Sequence, residues 1–99
     1  MIVTYKKSLK KIFANYSSLV KAFGEDMAII ISKRLNELEA SESLEFMAQV
    51  GIGGCHKLKG KLEGKYSIHL KEPHRLLVVK VSSIKNYTVQ IEAVVDDYH

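Results

Sequence analysis

Residues 64–81 read GKYSIHLKEPHRLLVVKV, and this stretch decides the fold. Its first half alternates apolar with polar side chains: Tyr66, Ile68 and Leu70 against Ser67, His69 and Lys71. Its second half, residues 75–81, is mostly a run of aliphatic and β-branched residues. Both patterns are typical of β-strands, and so short a connection joins antiparallel neighbours. The stretch therefore predicts two paired strands, at residues 66–71 and 75–81.

Two further strands are predicted on either side of this pair. Residues 56–59 precede it, with Gly60 and Gly64 bracketing the turn, and residues 88–95 follow it. Successive side chains of a strand point to opposite faces. The last strand is therefore expected to turn Val89, Ile91 and Ala93 to the core and Thr88, Gln90 and Glu92 outward. At least one face of the sheet is expected to be polar.

The amino-terminal half of the chain has helical spacing instead. After a short predicted strand at residues 2–4, apolar residues from Tyr5 onward share one helical face, at Leu9, Ile12, Phe13 and Tyr16. Beyond Gly24 a second helix is predicted by the spacing of Met27, Ile30, Ile31, Arg34, Leu35 and Leu38. A short third helix through Met47, capped by Ser41 or Ser43, is expected to end before the glycines Gly51, Gly53 and Gly54.

These elements predict an α+β fold. We expect an N-terminal strand and two to three helices packed on one face of a twisted, mainly antiparallel sheet, with the other face left to bind a partner. The 99 residues contain no repeat, low-complexity tract or linker that would divide them. They are therefore expected to form one domain, residues 1–99.

Positive charge is concentrated in two parts of the chain. Residues 1–23 carry five Lys and no acid, and residues 55–80 carry seven basic and two acidic side chains; residues 24–54 carry two basic and six acidic ones. A polyanion-binding face would have this pattern if the fold joined the basic blocks, and scattered solvating lysines would have it too. Lys10 and Lys11, on the opposite face of the first predicted helix from its apolar residues, could likewise contact RNA phosphate or only solvent.

The sequence also lacks several motifs. No apolar run approaches the roughly 20 residues that span a bilayer, and the amino terminus lacks the order of a signal peptide. We therefore expect a soluble, cytoplasmic protein. The single Cys55 cannot form an internal disulfide, and as neighbours in a strand Cys55 and His56 cannot align as nucleophile and base. Since no metal-ligand spacing, Walker loop or dinucleotide-binding motif occurs, neither a metal nor another cofactor is expected.

Four short motifs together resemble one protein family. They are His56-Lys57-Leu58-Lys59-Gly60, Gly64-Lys65-Tyr66-Ser67-Ile68, Arg75-Leu76 and the closing Asp97-Tyr98-His99. Their succession looks like that of HigB-type toxins of bacterial toxin–antitoxin modules, within the RelE/ParE superfamily. The likeness extends over nearly the whole chain, and its specific part is residues 55–68, 75 and 97–99.

The resemblance implies a small ribosome-dependent endoribonuclease that cleaves messenger RNA. It also implies a helix-turn-helix antitoxin of the HigA type in a toxin–antitoxin hetero-oligomer, with the ribosome and mRNA as further partners and no membrane. The implied catalytic residues are His56, Arg75, Asp97, Tyr98 and His99. For RNA binding we expect Lys57 and Lys59 at the site, together with Lys10 and Lys11.

These residue types suit RNA cleavage without a metal. The reaction needs the 2′-OH deprotonated, the leaving 5′-oxygen protonated and the charge on phosphorus neutralised. His56 and His99 can exchange protons near neutral pH, and which of them is the acid is left open. Arg75 suits a non-bridging phosphate oxygen. Tyr98 could stack on a base, and Asp97 could orient an imidazole or accept a hydrogen bond from a ribose hydroxyl.

Other interpretations stay open. The superfamily includes ParE-like toxins that bind DNA gyrase, and an inactive relative could serve only as a protein-binding module. The proton-transfer and phosphate-binding residues favour the nuclease. Arg75 could merely bridge the sheet, Tyr98 could cover the sheet edge, and Asp97 could pair with a surface lysine. The chain departs from the family at Cys55 and at Pro73-His74, which leaves loop geometry and codon preference open.

Overall fold

The computed structural model describes residues 1–96. Three residues assigned to the site from the sequence, Asp97, Tyr98 and His99, lie outside this described part. Residues 1–96 form three helices and five strands. In chain order these are β1 (Ile2–Tyr5), α1 (Tyr16–Phe23), α2 (Glu25–Ala40), α3 (Leu44–Val50), β2 (His56–Lys57), β3 (Lys65–His69), β4 (His74–Ser82) and β5 (Thr88–Asp96).

The strands of residues 1–96 form one sheet in the order β1-β5-β4-β3-β2. β1 runs parallel to β5, and the other three neighbouring pairs are antiparallel. At the centre β3 pairs with β4, from Lys65 opposite Val79 to His69 opposite Arg75. The predicted hairpin and the predicted α+β fold with a mainly antiparallel sheet are confirmed.

The helices pack on one face of the sheet. α2 buries Met27, Ala28, Ile31 and Leu38, and the sheet contributes Ile68, Leu76, Val78, Val89 and Ile91 to the same core. Removal of this apolar surface from water is the main force that holds the two layers together. Within residues 1–96 none of the helices is both long and apolar enough to cross a membrane.

The first helix begins later than the spacing predicted. The amide of Lys6 still donates to the carbonyl of Ile91, so the chain leaves β1 in an extended form. A 3₁₀ turn, Lys7–Leu9, and further hydrogen-bonded turns follow. α1 starts at Tyr16, after Asn15 caps it by accepting a hydrogen bond from the amide of Ser18 at 2.8 Å. Leu9 and Ile12 nevertheless pack against the core. Their spacing predicted burial correctly and the helix wrongly.

Ser43 caps the third helix. Its Oγ accepts a hydrogen bond from the amide of Phe46 at 3.0 Å. The Oγ of Ser41 instead donates to the carbonyl of Glu37 at 2.7 Å and closes the end of α2. Of the two serines that the sequence offered as caps, Ser43 is therefore the one that serves α3.

A β-bulge in β5 contradicts one core assignment. Leu77 pairs with Ala93, whereas the next residue, Val78, pairs with Ile91, so one extra residue of β5 lies between the two pairs. Val89 and Ile91 are fully buried as predicted. Ala93 is opposite Leu77, away from the helices, and Val94 packs on the core in its place. The prediction for Ala93 was wrong because strand periodicity does not reveal an inserted residue.

Candidate active site

The sheet face opposite the helices, here called the open face, carries the polar residues of the centre. Two neighbouring rows of paired residues define it: His56, Ser67, Leu77 and Ala93, and then His69, Arg75 and Val95. The rows are two residues apart along the strands, or roughly 7 Å. The open face agrees with the polar sheet face that the alternation predicted.

His56 lies on the edge strand β2 and is exposed. Its Nδ1 is 3.3 Å from the carbonyl oxygen of Gly54, and the Oγ of Ser67 is 3.4 Å from both ring nitrogens. Ser67 is only 1% exposed, so its hydroxyl is a fixed neighbour of the ring. The imidazole is held loosely on one side and is open to solvent on the other, as a group that exchanges protons with a substrate must be.

Arg75 is buried in the central strand β4, with 7% of its surface exposed. Its Nη1 donates to the carbonyl of His74 at 2.9 Å and lies 3.2 Å from Oε1 of Glu72. Its Nη2 donates to Oε2 of Glu72 at 3.4 Å. Glu72 is largely exposed, so the ion pair holds the guanidinium at the β3–β4 end of the sheet while one member stays in water.

His56 and Arg75 share the open face with a single strand, β3, between them. Two strand spacings and a two-residue stagger separate their Cα atoms by roughly 12 Å. A phosphodiester can lie between side chains that extend toward each other from this separation. The structure therefore brings together two of the five residues that the sequence assigned to catalysis.

The end of β5 lies beside the same site. Asp96, the last described residue, pairs with His74, which immediately precedes Arg75. The Nε2 of His74 is 3.3 Å from Oδ1 of Asp96. The assigned residues Asp97, Tyr98 and His99 follow Asp96 in sequence and lie outside the described residues.

The assigned lysines lie in two separate places. Lys57 and Lys59 are exposed at the β2 edge and follow His56 in sequence. Lys57 pairs with the core residue Tyr66, so its side chain points away from the open face that carries His56. Lys10 and Lys11 are exposed in the segment after β1, and β1 is the opposite edge strand. Four strand spacings, roughly 19 Å, separate the two edges. The fold does not join the two basic blocks at one point.

His69 is a residue of the open face that the sequence motifs did not single out. It is directly opposite Arg75 in the sheet register. Its ring lies against Gly54, where an added Cβ would be 2.6 Å from the ring Nδ1. The sequence feature that pointed to His69 was the alternation in residues 66–71, which predicted that its side chain lies on the polar face. What the spacing could not show is the contact with Gly54, because it depends on the pairing of β2 with β3.

Cys55 is chemically separate from this site. Its side chain is 3% exposed in the helix-side core, with Sγ 4.0 Å from the carbonyl of Leu44. Burial raises the pKa of the thiol to about 12. Since His56 is on the open face, the two side chains lie on opposite sides of the sheet, as expected for neighbours in a strand. Within residues 1–96 no three His, Cys, Asp or Glu side chains are grouped closely enough to hold a metal ion.

Solved structures share this fold. The chain matches no protein-family model, and no curated protein is significantly similar to it in sequence. A YoeB/ParE toxin from Agrobacterium tumefaciens matches 99% of this chain and 100% of its own, with a TM-score of 0.65 and 17% identity. A chain of the YoeB–YefM complex from Staphylococcus aureus matches with a TM-score of 0.62 and 25% identity, over 100% of this chain and 97% of its own.

A third structure, a heterotetrameric YoeB–YefM toxin–antitoxin complex from the same Staphylococcus, gives a TM-score of 0.53 and 24% identity, over 100% of this chain and 97% of that chain. The protein thus has the RelE/YoeB-like fold. Its structural neighbours include toxins of the YoeB and ParE types, of the RelE/ParE superfamily. At these identities the likeness establishes the fold and leaves the activity to the chemistry of the site.

Proposed function

We propose that this chain is the toxin of a type II toxin–antitoxin module, an endoribonuclease of the HigB type that acts in the cytoplasm as a single domain, residues 1–99. One observation carries the proposal: His56 of β2 and Arg75 of β4 lie on the open face near the end of β5, and Asp97-Tyr98-His99 come directly after β5 in sequence. Structural neighbours that are named as toxins support the toxin role.

In the proposed reaction the ribose 2′-oxygen attacks the adjacent phosphorus. The 2′-O–P bond forms as the bond from phosphorus to the 5′-oxygen breaks, which leaves a 2′,3′-cyclic phosphate and a 5′-hydroxyl. One imidazole, of His56 or of His99, accepts the 2′ proton, and the other protonates the 5′-oxygen. The guanidinium of Arg75 neutralises the extra charge on phosphorus.

The remaining assigned residues hold the RNA in this proposal. Tyr98 stacks on a nucleobase, and Asp97 orients an imidazole or accepts a hydrogen bond from a ribose hydroxyl. Lys57 and Lys59 bind the RNA backbone at the β2 edge, while Lys10 and Lys11 contact phosphate at the far edge. Asp96, which directly precedes Asp97 in sequence, pairs with His74, the neighbour of Arg75, and this supports a composite site.

Expression in a bacterial host tests the catalytic assignment. His56→Ala and His99→Ala should restore growth, because each removes one proton-transfer group, and both variants should still bind the antitoxin. Lys33→Ala, on the exposed outer side of α2, is the matched control and should remain toxic. Continued toxicity of both histidine variants would contradict the assignment.

Purified components separate the proposed activity from gyrase binding. The wild-type chain should cleave messenger RNA in the presence of ribosomes and much more slowly without them. A chain that inhibits DNA supercoiling by gyrase and leaves messenger RNA intact would instead be a ParE-like toxin. A chain without either effect would be an inactive protein-binding relative.

A helix-turn-helix protein of the HigA type is the proposed antitoxin. The YoeB–YefM complexes among the structural neighbours support the idea that this fold assembles with an antitoxin. A neighbouring helix-turn-helix gene product, co-expressed with this chain, should co-purify as a hetero-oligomer and suppress RNA cleavage. Separate elution of the two proteins would argue against this partner.

A further inference from the structure

The turn between β3 and β4 places a carboxylate on the guanidinium that the proposed function assigns to phosphate. Oε1 of Glu72 lies 3.2 Å from Nη1 of Arg75, and Oε2 of Glu72 accepts a hydrogen bond from Nη2 at 3.4 Å. Each carboxylate oxygen thus faces one terminal nitrogen of the guanidinium. Since a guanidinium binds two oxygens of a phosphate in the same two-point way, Glu72 holds a position that a phosphate would take.

The two members of this ion pair differ in their freedom to move. Arg75 is buried in the central strand, and its Nη1 also donates to the carbonyl oxygen of His74 at 2.9 Å. The Glu72 side chain is 72% exposed. The turn that carries it is tied to α2, because Nζ of Lys71 lies 3.1 Å from Oδ2 of Asp26. Glu72 can therefore leave by rotation of its side chain into water, while the guanidinium and the turn stay in place.

RNA bound at the same two nitrogens would bring a second anion beside Glu72. Two anions at contact distance repel each other, and the single charge of Arg75 cannot neutralise both. A phosphate can therefore bind this side of the guanidinium only if the Glu72 carboxylate moves away. The cost of that step is small, because an exposed ion pair contributes little when water already solvates one partner.

We propose that Glu72 is an internal competitor for the phosphate site at Arg75, in contact with the guanidinium in the free protein and displaced when RNA binds. This inference rests on the proposed function, which assigns Arg75 to phosphate. The alternative is that Glu72 only positions the guanidinium for catalysis. The two roles have opposite consequences: removal of a competitor strengthens RNA binding, whereas removal of a positioning group slows the reaction.

Glu72→Gln removes the charge and keeps the length of the side chain. The dissociation constant for a labelled single-stranded RNA with 2′-O-methyl groups, which cannot be cleaved, should fall about threefold to fivefold, as expected from the loss of an exposed ion pair. Fluorescence anisotropy measures it. The kcat of ribosome-dependent cleavage should not fall. Glu63→Gln is the matched control, since Glu63 is an exposed acid between β2 and β3 that has no ion pair among residues 1–96. It should change the dissociation constant less than about twofold.

Three results would overturn the inference. They are RNA binding that Glu72→Gln leaves unchanged or weakens, equal tightening by Glu63→Gln, which would indicate a general effect of charge, and a lower kcat with an unaltered dissociation constant, which would assign Glu72 to positioning. Thermal unfolding verifies that the variants are folded. The binding measurement is independent of cleavage: a wild-type chain that cleaves no RNA refutes the proposed function, while tighter binding by Glu72→Gln alone would still support the competition at Arg75.

Discussion

Gly54 shows at the scale of one residue how backbone conformation makes room for a side chain of the site. It has a φ of +65°, in the left-handed region, and carries the His69 ring where a side chain would otherwise be. Both features disfavour any other residue, for separate reasons: one is backbone strain and the other is steric overlap. The two contributions can be measured independently.

Gly54→Ala should lower the free energy of unfolding by about 2 kcal/mol in wild type and by about 1 kcal/mol in the His69→Ala background, where only the strain remains. Urea denaturation of the four proteins measures the difference. Gly60, with a φ of +67° and no atom within 4 Å of an added Cβ, is the control. Gly60→Ala should cost the same in both backgrounds. If Gly54→Ala lowered the free energy of unfolding equally in both backgrounds, the result would contradict the contact between Gly54 and the His69 ring.

Cys55 illustrates how burial alone sets reactivity. Its thiol is 3% exposed, and burial raises its pKa to about 12, so the thiolate is scarce at ordinary pH. At pH 8 the folded protein should react with iodoacetamide at least about a hundredfold more slowly than the chain in denaturant. Mass spectrometry of labelled samples measures both rates. Rapid labelling of the folded protein would mean that the strand containing Cys55 opens readily.

At the scale of elements, a polar cluster fastens α3 to the β4–β5 hairpin. Glu45 of α3 accepts hydrogen bonds from Nζ of Lys80 at 2.8 Å and from the hydroxyl of Tyr87 at 2.5 Å. The same hydroxyl accepts one from the amide of Leu44 at 3.2 Å, and the Lys80 ammonium lies 5.4 Å from the Tyr87 ring centroid. The start of a helix and two strands distant in sequence are therefore joined by one carboxylate.

The cluster makes stability depend on pH. Burial raises the pKa of Glu45, but hydrogen bonds from Lys80 and Tyr87 and the Lys80 charge outweigh it and lower the pKa from 4.5 to about 2. A carboxyl group whose pKa is lower in the folded state stabilises the fold above its unfolded pKa and loses that effect as the pH falls to its folded pKa. The contribution is therefore lost between about pH 4.5 and pH 2.

Glu45→Gln should lower the free energy of unfolding by about 1 kcal/mol at neutral pH. This loss is smaller than the pKa shift alone suggests, because water screens the half-exposed side chain of Glu45. The difference from wild type should vanish near pH 2. Urea denaturation across this range measures it, and Glu42→Gln is the control, since Glu42 is exposed and has no ion pair among residues 1–96. A difference that persists at pH 2 would show that the carboxylate charge is not its cause.

At the scale of the whole molecule, strand order separates the two basic blocks. β1 and β2 are the two edges of the sheet, so the lysines that follow β1 and those that begin at β2 lie on opposite sides. A single strand of RNA that touches both has to span the width of the sheet. The two groups of lysines should then contribute independently to binding, because they are too far apart to interact.

Replacing Lys57 and Lys59 by Ala, or Lys10 and Lys11 by Ala, should each reduce the salt dependence of RNA binding. The slope of log K against log salt concentration should fall by about 0.7 for each lysine that contacts phosphate, and the two double variants should be additive. Fluorescence anisotropy with a labelled single-stranded RNA measures the slopes. Lys33→Ala should leave the slope unchanged. An unaltered slope for the Lys10 and Lys11 pair would limit the RNA-binding surface to the β2 edge.

Local patterns predicted the layers of the fold but not all of its boundaries. The periodicity of residues 66–71 and 75–81 predicted the central hairpin, and the apolar spacing from Met27 predicted α2, because both depend on which side chains face the core. The late start of α1 depends on the bond from Lys6 to Ile91, a contact between distant residues. Ala93 was misplaced for a similar reason, since the bulge appears only when β5 pairs with β4.

The sequence by itself determined the strand and helix order, the polar face of the sheet and the residue types available for acid–base chemistry, because these follow from side-chain chemistry and short-range periodicity. Only the tertiary structure decided that His56 and Arg75 share one face, that His69 lies between them against Gly54, and that the two lysine pairs lie on opposite edges. Strand order and register decide these relations, and they arise from pairing between residues that are far apart in the chain.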